Sequence, residues 1–420
     1  MTQTDKNFDV IVIGGGVIGL CSAYYLSEAG CRVAVLEKGS LGNGSSGGNA
    51  GLIVPSHFIP LAAPGVVGQG LKWMLDPESP FYIKPRLNGD LLRWLWQFRR
   101  ASTQAHVDQS MPLLLEMHLA SLALYEQLAE ELDFGLVQEG LLMLYKTAVG
   151  ETECAELVKS AHNIELAAEM FDAEQVRAKL PGLDVQVEGG AYFPRDGHLN
   201  PGQLIAALRE ALEQAGITIY TQTEVLGLVE NGGRIEQVST TKGTFSADEI
   251  VLAGGSWSPE LVRDLGVKLP IQAAKGYSFM APQLAGKLAV PLLLTDAKVA
   301  VAPLAEGIRF AGTLEMSGLD LSVNQRRVAA MRRAVPDYFP EFELDEGAIN
   351  KAAVWAGLRP CSPDGLPIIG RDERICNLIL ATGHAMMGVS LAPITGKMVA
   401  EIVTGKASSI ELPLLSPDRF

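Results

Sequence analysis

Long apolar runs are missing from this chain: no uninterrupted stretch reaches the length of a membrane span. Cysteine is scarce. The five residues Cys21, Cys31, Cys154, Cys361 and Cys376 include no Cys-x-x-Cys pair, and the odd count points to a reducing compartment rather than a disulfide framework. Positive charge is in deficit, with 34 Lys and Arg against 48 Asp and Glu, a net of −14. That argues against nucleic acid as a partner and against strong electrostatic binding to anionic lipid. His106, His118, His162 and His198 have no metal-ligand spacing, so no metal is expected. Ser45 and Ser46 follow glycines but lack the nucleophile-elbow pattern, so no Ser/His/Asp chemistry is read there. No internal repeat or low-complexity tract occurs. The first core strand starts within ten residues of Met1, so no signal peptide is expected and a cytoplasmic location follows.

What the chain does have is glycine, 44 residues in 420, concentrated in turns beside strands. With 48% hydrophobic and 20% charged residues, it reads as an ordinary globular enzyme with room for two or three domains. The most specific element is Gly14-Gly15-Gly16-Val17-Ile18-Gly19, directly after the apolar run Phe8-Asp9-Val10-Ile11-Val12-Ile13. Glycines at 14, 16 and 19 fit a dinucleotide fingerprint: one for the tight turn, one for backbone approach to a pyrophosphate, one for close helix–strand packing. A helix over 17–28 would point its positive N-terminal end at the phosphates. The next strand, Arg32-Val33-Ala34-Val35-Leu36, ends on Glu37, 18 residues after Gly19 and close to the spacing that places an acid on a ribose hydroxyl.

Two further strand–glycine–helix units follow far downstream, Glu249 to Trp257 and Leu378 to Gly383 with Gly388 to Pro393. A nucleotide domain assembled from the start, middle and end of a chain suits FAD; NAD is the alternative. The fold expected is mixed α/β. A Rossmann-like FAD domain with a central parallel sheet would be built from residues 1–75, 196–268 and 356–420. An antiparallel-sheet substrate domain would come from 76–195 and 269–355. Within these, residues 55–86 show no clear period, 151–180 read as an amphipathic helix, and 352–356 read as a strand. Asn231-Gly232-Gly233 suits a hairpin turn, and Asn200 suits a cap for a helix opening at Pro201. Leu91 to Arg100, with Trp and Phe beside Arg, fits either a helix packed on its own protein or a membrane interface. Peripheral contact with the inner face of the plasma membrane is therefore the second expectation for its location.

The motifs in their order resemble the D-amino-acid oxidase superfamily of flavoproteins over essentially the whole chain, and within it the bacterial D-amino-acid dehydrogenases. They are the Gly14 to Gly19 fingerprint with Glu37, Ser45-Ser46, Asn49-Ala50-Gly51, Ala63-Pro64-Gly65-Val66, Lys72-Trp73-Met74 and Lys275-Gly276-Tyr277-Ser278. Gly357-Leu358-Arg359-Pro360, Pro363-Asp364-Gly365 through Gly370, and Gly383-His384 complete the set. The resemblance implies cofactor contacts from Gly14, Gly16, Val17, Ile18, Gly19, Glu37, Lys38, Ser45, Ser46, Asn49, Ala50, Gly51, Leu52, Val225, Gly254, Trp257, Gly388, Val389 and Ser390. It implies FAD held non-covalently, because Gly357 stands where some sarcosine-type relatives attach flavin through a cysteine. His57 stands where related dehydrogenases tend to carry Tyr.

Flavin amine oxidation asks little of side chains: the substrate Cα–H must lie over flavin N5, with the amine neutral and the carboxylate anchored. Arg359, whose planar fork can take a carboxylate bidentately, is the expected anchor, with Tyr277 as its partner on the same carboxylate. His57 and His384 are weaker candidates for the pocket. The expected reaction is oxidative deamination of a D-amino acid, or of a cyclic D-imino acid such as proline or hydroxyproline, to the imino acid and then the 2-oxo acid and ammonia. The electron acceptor is left open between a quinone, a dye and oxygen. A glycine/sarcosine-type oxidase, an NAD-dependent dehydrogenase and a catalytically inactive flavin-binding protein are the alternatives.

Overall fold

A computed structural model describes residues 7–74, 76–342, 344 and 354–420. The chain opens with β1 (Asn7–Ile13), α1 (Val17–Glu28), β2 (Val33–Leu36) and β3 (Leu52–Ile53). Next come α2 (Val66–Trp73), β4 (Phe81–Ile83), α3 (Gly89–Ala101), α4 (Gln104–Leu128), β5 (Leu141–Tyr145), α5 (Ala148–Asn163), β6 (Glu169–Asp172), α6 (Ala173–Lys179), β7 (Gly189–Phe193), β8 (Gly197–His198) and α7 (Pro201–Gln214). β9 (Thr218–Tyr220), β10 (Val225–Asn231), β11 (Arg234–Thr240) and β12 (Gly243–Leu252) lead to α8 (Ser258–Val262). Then follow β13 (Gln272–Ala281), β14 (Leu292–Leu294), β15 (Val299–Leu304), β16 (Gly307–Met316), α9 (Gln325–Tyr338), β17 (Trp355–Cys361), β18 (Ile368–Arg371), β19 (Leu378–Thr382) and α10 (Ala392–Thr404).

The first sheet runs β10-β11-β12-β1-β2-β9, with β19 on β12 and β18 on β19. Its centre is parallel: β1 pairs with β2 and β12, β2 with β9, and β12 with β19. Both faces are covered, which is why these strands read as unbroken apolar runs. Val10, Val12, Val35 and Val251 pack toward α1, α7 and α10. Ile11, Ile13, Leu36 and Leu252 pack with β10 and β11. The parallel strands end along one edge, and Gly14, Glu37, Gly254 and Gly383 lie at those ends, where open α/β sheets bind ligands. Asn200 caps α7 by accepting from the Gly202 and Gln203 amides at 3.0 and 3.3 Å, as expected.

The second sheet runs β17-β13-β16-β15-β14-β5-β7-β6, with β4 beside β16. It is antiparallel apart from the β5–β14 and β4–β16 pairs. α9 covers one of its faces through Val328, Met331 and Val335.

Four local expectations need correction. The segment 151–180 is not one helix: α5 stops at Asn163, β6 pairs with β7, and α6 starts on an Asp172/Gln175 capping box. Amphipathic patterning continued through the short strand and hid it. The stretch 55–86 contains α2 and β4. The strand expected over 352–356 starts at Trp355, and Ala352 and Ala353 lie outside the described residues. Residues 356–361, expected on the nucleotide side, hydrogen-bond through β17 into the second sheet.

Candidate functional site

The turn after β1 is shaped by close approach. Gly14 has φ 117 and a Cβ there would lie 2.5 Å from Ala253 O, while a Cβ on Gly19 would overlap Gly14 O. Gly16, the N-cap of α1, supplies no side-chain cap. Ser46 Oγ instead accepts from the Val17 amide at 3.0 Å. Glu37 is held at the end of β2 by the Gly15 and Gly39 amides, each 2.7 Å from one carboxylate oxygen. Each oxygen keeps acceptor capacity for a ribose hydroxyl. Lys38 Nζ lies 3.9 Å from the centre of the Trp257 ring, and a Cβ on Gly44 would be 3.7 Å from that ring. The structure thus gathers Gly14, Gly16, Val17, Ile18, Gly19, Glu37, Lys38, Ser46, Gly254 and Trp257 at one edge of the first sheet. Val225 opens β10, and its side chain belongs to the core beneath that sheet.

The glycine loop over 42–51 is sewn to the second sheet, which sequence reasoning missed. Arg309 Nη1 on β16 donates to Gly47 O at 3.1 Å and Asn49 O at 2.7 Å. Ser278 Oγ on β13 donates to Gly48 O at 2.7 Å, and Ser45 Oγ donates to Leu358 O on β17 at 2.5 Å. Asn49 Oδ1 accepts from the Gly51 amide at 2.8 Å, Ala50 is buried, and Leu52 on β3 pairs with His198. A cavity of about 340 Å³ lies here, lined by Gly42, Gly47, Gly48, Ser278, Arg309 and Trp355 among others. In the segment before α10, Val389 O accepts from Tyr125 Oη at 2.6 Å and Ser390 Oγ from the Val54 amide at 3.1 Å. A Cβ on Gly388 would sit 3.6 Å from His384 Cβ.

Arg359 and Tyr277 stand on adjacent strands but on opposite faces. In the β13–β17 register Arg359 pairs with Ala274, and Tyr277 with Ala356. Side chains alternate, so Arg359 shares its face with Gly276, Gly357, Ser278 and Trp355, and Tyr277 does not. The Tyr277 hydroxyl donates to Ser322 O at 3.4 Å and accepts from the Asn324 amide at 3.1 Å. Its ring lies in the α9-side core, 1% exposed. The expected pairing of Tyr277 with Arg359 on one carboxylate is therefore corrected. Tyr277 and Lys275, whose Nζ donates to Ser322 O at 2.6 Å, fasten the 320–324 segment.

Gly276 lies between them in sequence and faces the other way, beneath the arginine. A Cβ on Gly276 would overlap Arg359 Nη1, and one on Gly357 would overlap the Trp355 ring. Two opposed glycines make a flat floor on which the guanidinium and the indole lie. Arg359 Nη1 donates to Thr313 O at 2.7 Å. Among the described residues no carboxylate neutralises Arg359, and burial holds its pKa below the usual arginine value. A half-buried guanidinium without a counter-charge favours an anion as partner. Thr313 itself has φ 66, a left-handed conformation that costs a β-branched residue about 1–3 kcal/mol.

Three buried histidines, a half-buried one, His57, and an aspartate complete the surroundings. His384 Nε2 lies 2.9 Å from Thr395 Oγ1, and burial pushes its pKa down to about 3. His57 Nδ1 lies 3.2 Å from Ser56 Oγ, and burial lowers its pKa to about 4. Both are neutral hydrogen-bonding groups at pH 7. His118 Nδ1 meets Ser390 Oγ at 2.9 Å, and His198 on β8 is also held neutral by burial. Asp196, fully buried, accepts from the Ser56 amide at 3.0 Å and from Ser56 Oγ at 2.5 Å. Burial raises its pKa to about 7. Neither His118 nor Asp196 carried a signal in the sequence, since isolated polar residues in apolar segments announce nothing until packed. No cluster of metal-ligating side chains occurs among the described residues.

The residues at the sheet edge fit a flavin dinucleotide: a bare helix N-terminus for a pyrophosphate, an acid for a ribose, and a glycine loop open to a flat ring. Comparison with known proteins agrees. A family model described as FAD dependent oxidoreductase matches residues 9–402. A D-amino acid dehydrogenase of Vibrio atlanticus is 33% identical over 98% of this chain and 100% of that protein. One of Helicobacter pylori is 30% identical over 94% of each. Among solved structures, glycine oxidase from Geobacillus kaustophilus superposes with a TM-score of 0.78 at 26% identity, covering 99% of both chains. L-proline dehydrogenase from P. horikoshii shares the fold, with a TM-score of 0.75 at 20% identity, over 99% of this chain and 98% of that one. The dinucleotide is therefore FAD rather than NAD, and the chain belongs to the DAO family of FAD-dependent oxidoreductases.

Proposed function

We propose that this chain oxidises free D-amino acids, or cyclic D-imino acids, at Cα, with the first sheet holding FAD and the second holding substrate. The observation that carries the reading is Arg359: a half-buried guanidinium without an acidic partner among the described residues, laid flat over Gly276 on the face that also fastens the glycine loop. The relatives named D-amino acid dehydrogenase supply the stereochemical and substrate class. Glu37, the α1 N-terminus, Ser45, Ser46 and the 47–51 backbone would hold FAD, with Lys38 and Trp257 at the rim. When bound, FAD supplies the acceptor for the hydride that leaves Cα.

The protein's own task is geometric. Arg359 takes the α-carboxylate in a charge-assisted, two-pronged bond and fixes Cα in place. Trp355, Leu314 and the apolar cluster of Trp94, Ala274 and Met316 keep water from the same face. The amine reacts as the free base, and no side chain at the site is required as a general base. The imine formed from an open-chain amino acid then takes up water and gives the 2-oxo acid and ammonia, while the imine from a cyclic substrate keeps its nitrogen in the product.

A panel of D- and L-amino acids, imino acids, amides and simple amines, run against a dye acceptor with and without oxygen, tests the reading. D-amino or D-imino acids are expected to reduce the dye, and amides and simple amines to react poorly. Preference for substrates without a carboxylate would overturn it. The oxygen arm separates a dehydrogenase from the glycine-oxidase-type reading that the structural likeness to glycine oxidase favours.

We further propose peripheral membrane contact through α3. Leu91, Trp94 and Phe98 are buried, but Leu92 and Trp96 are 59% and 58% exposed beside exposed Arg93, Arg99 and Arg100. Among the described residues no helix is long and apolar enough to cross a membrane.

A further inference from the structure

β16 carries one residue too many against β13. Tyr277 pairs with Gly312 and Lys275 with Glu315, so Thr313 and Leu314 together stand opposite Gly276. Gly312 faces α9, because a Cβ there would meet Met331 Sδ at 3.3 Å. Glu315 faces α9 as well, through its ion pair with Arg327 at 3.0 Å. Alternation counted from either side turns Thr313 and Leu314 to the opposite face, the one that carries Arg359.

The bulge is of the left-handed kind, which ordinarily takes glycine at the position Thr313 occupies. A glycine would make the same turn and present the same carbonyl to Arg359 without strain, so the threonine side chain has a use of its own. That side chain is buried, with the residue 8% exposed, and its Oγ1 has no hydrogen-bond partner among the described residues. Its main chain already anchors the guanidinium.

We propose that Thr313 Oγ1 is the second donor to the substrate carboxylate, so that Arg359 and Thr313 form the anchor expected of Arg359 and Tyr277. The proposal rests on the reading of Arg359 as the carboxylate site. A carboxylate offers about four acceptor positions, more than one guanidinium edge uses. A hydroxyl on the residue that holds the guanidinium is fixed relative to it, and the carboxylate satisfies a donor otherwise left buried and unpaired.

The test compares the FAD-loaded parent with Thr313→Ser, Thr313→Ala, Thr313→Gly and Arg359→Ala. Acetate affinity is read from the perturbation of the bound-flavin spectrum, and KM and kcat are measured with D-alanine. Thr313→Ser is expected to keep acetate affinity within about twofold of the parent. Thr313→Ala and Thr313→Gly should weaken it by about tenfold or more, with KM following and kcat changing less. Thr313→Gly should melt higher than the parent, since the strain is gone. Parent-like acetate binding in the Ala and Gly variants, with Arg359→Ala weakened, overturns the role of the hydroxyl and leaves Arg359 standing. Equal losses in Ser, Ala and Gly would assign the effect to the bulge and overturn it too. Unchanged binding in Arg359→Ala overturns both readings; if that variant fails to fold, Arg359→Lys takes its place.

Discussion

At the scale of the residue, the decisive quantity is charge without a partner. Among the described residues Arg359 bonds a single carbonyl, so under the proposed reading its truncation removes a charge-assisted pair formed with the substrate. Such pairs are worth roughly 2–5 kcal/mol on truncation. Arg359→Ala is therefore expected to lower kcat/KM on D-amino acids by about 30-fold to 5,000-fold, and Arg359→Lys not to restore it, because an ammonium lacks the fork. Near-normal kcat/KM in either variant would refute the assignment. Asp196 is the opposite case, a buried acid whose neutral form is favoured. Its folded pKa is raised from 3.8 to about 7. The folded state thus binds the proton more tightly than the unfolded chain. The resulting stability is fully present below about pH 4 and is lost as pH rises through 7, on the order of 4 kcal/mol. Asp196→Asn stays neutral throughout, so its melting temperature relative to the parent should rise from pH 5 to pH 8. A constant difference across that range would show that Asp196 is ionised already.

At the scale of the element, β13 assigns two jobs by alternation. Lys275 and Tyr277 face α9 and fasten the 320–324 segment, while Gly276 faces the Arg359 guanidinium. Tyr277→Phe should cost about 1 kcal/mol in thermal or denaturant stability through its lost hydrogen bonds and leave kcat/KM within about threefold. Gly276→Ala should do the reverse: the new methyl group displaces the guanidinium, and a displacement near 1 Å costs about 100-fold in kcat/KM, with FAD content retained. A Tyr277→Phe variant with parent stability and crippled turnover would restore the tyrosine to the carboxylate. The same alternation explains why the Lys-Gly-Tyr motif is informative as a string and misleading as a list of contacts.

At the scale of the whole molecule, the two sheets meet through the glycine loop, which Arg309, Ser278 and the β17 backbone hold from the second sheet and the Val17 amide of α1 holds through Ser46. The exposed side of α3 departs from the rest of the surface. In a chain of net charge −14 it gathers Arg93, Arg99 and Arg100 around Leu92 and Trp96, with Arg100 4.6 Å from the centre of the Trp96 ring. Flotation with vesicles containing anionic lipid should carry the parent upward. Replacing Leu92 and Trp96 together by Glu should abolish this while leaving dye-linked activity intact. Equal recovery of both proteins in the bottom fraction would remove the membrane contact.

The dinucleotide-fold opening was legible because it is local: strand, glycine turn, helix and acid all fall before residue 38, and each step follows from neighbours in the chain. Asn200 before Pro201 and the Asn231-Gly232-Gly233 turn were legible for the same reason. The substrate site was not. Arg359 announces itself by type and motif, but its partners lie on β13 and β16, some 50 to 80 residues earlier. Which of them share its face depends on strand register, and one extra residue in β16 is enough to bring Thr313 there. Sequence by itself determined that the chain carries a dinucleotide fold, and it singled out the acid and glycines that stand at the ends of its strands. Tertiary structure alone decided which side chains share a face with Arg359, because pairing register and a single bulge choose the face on which each side chain emerges.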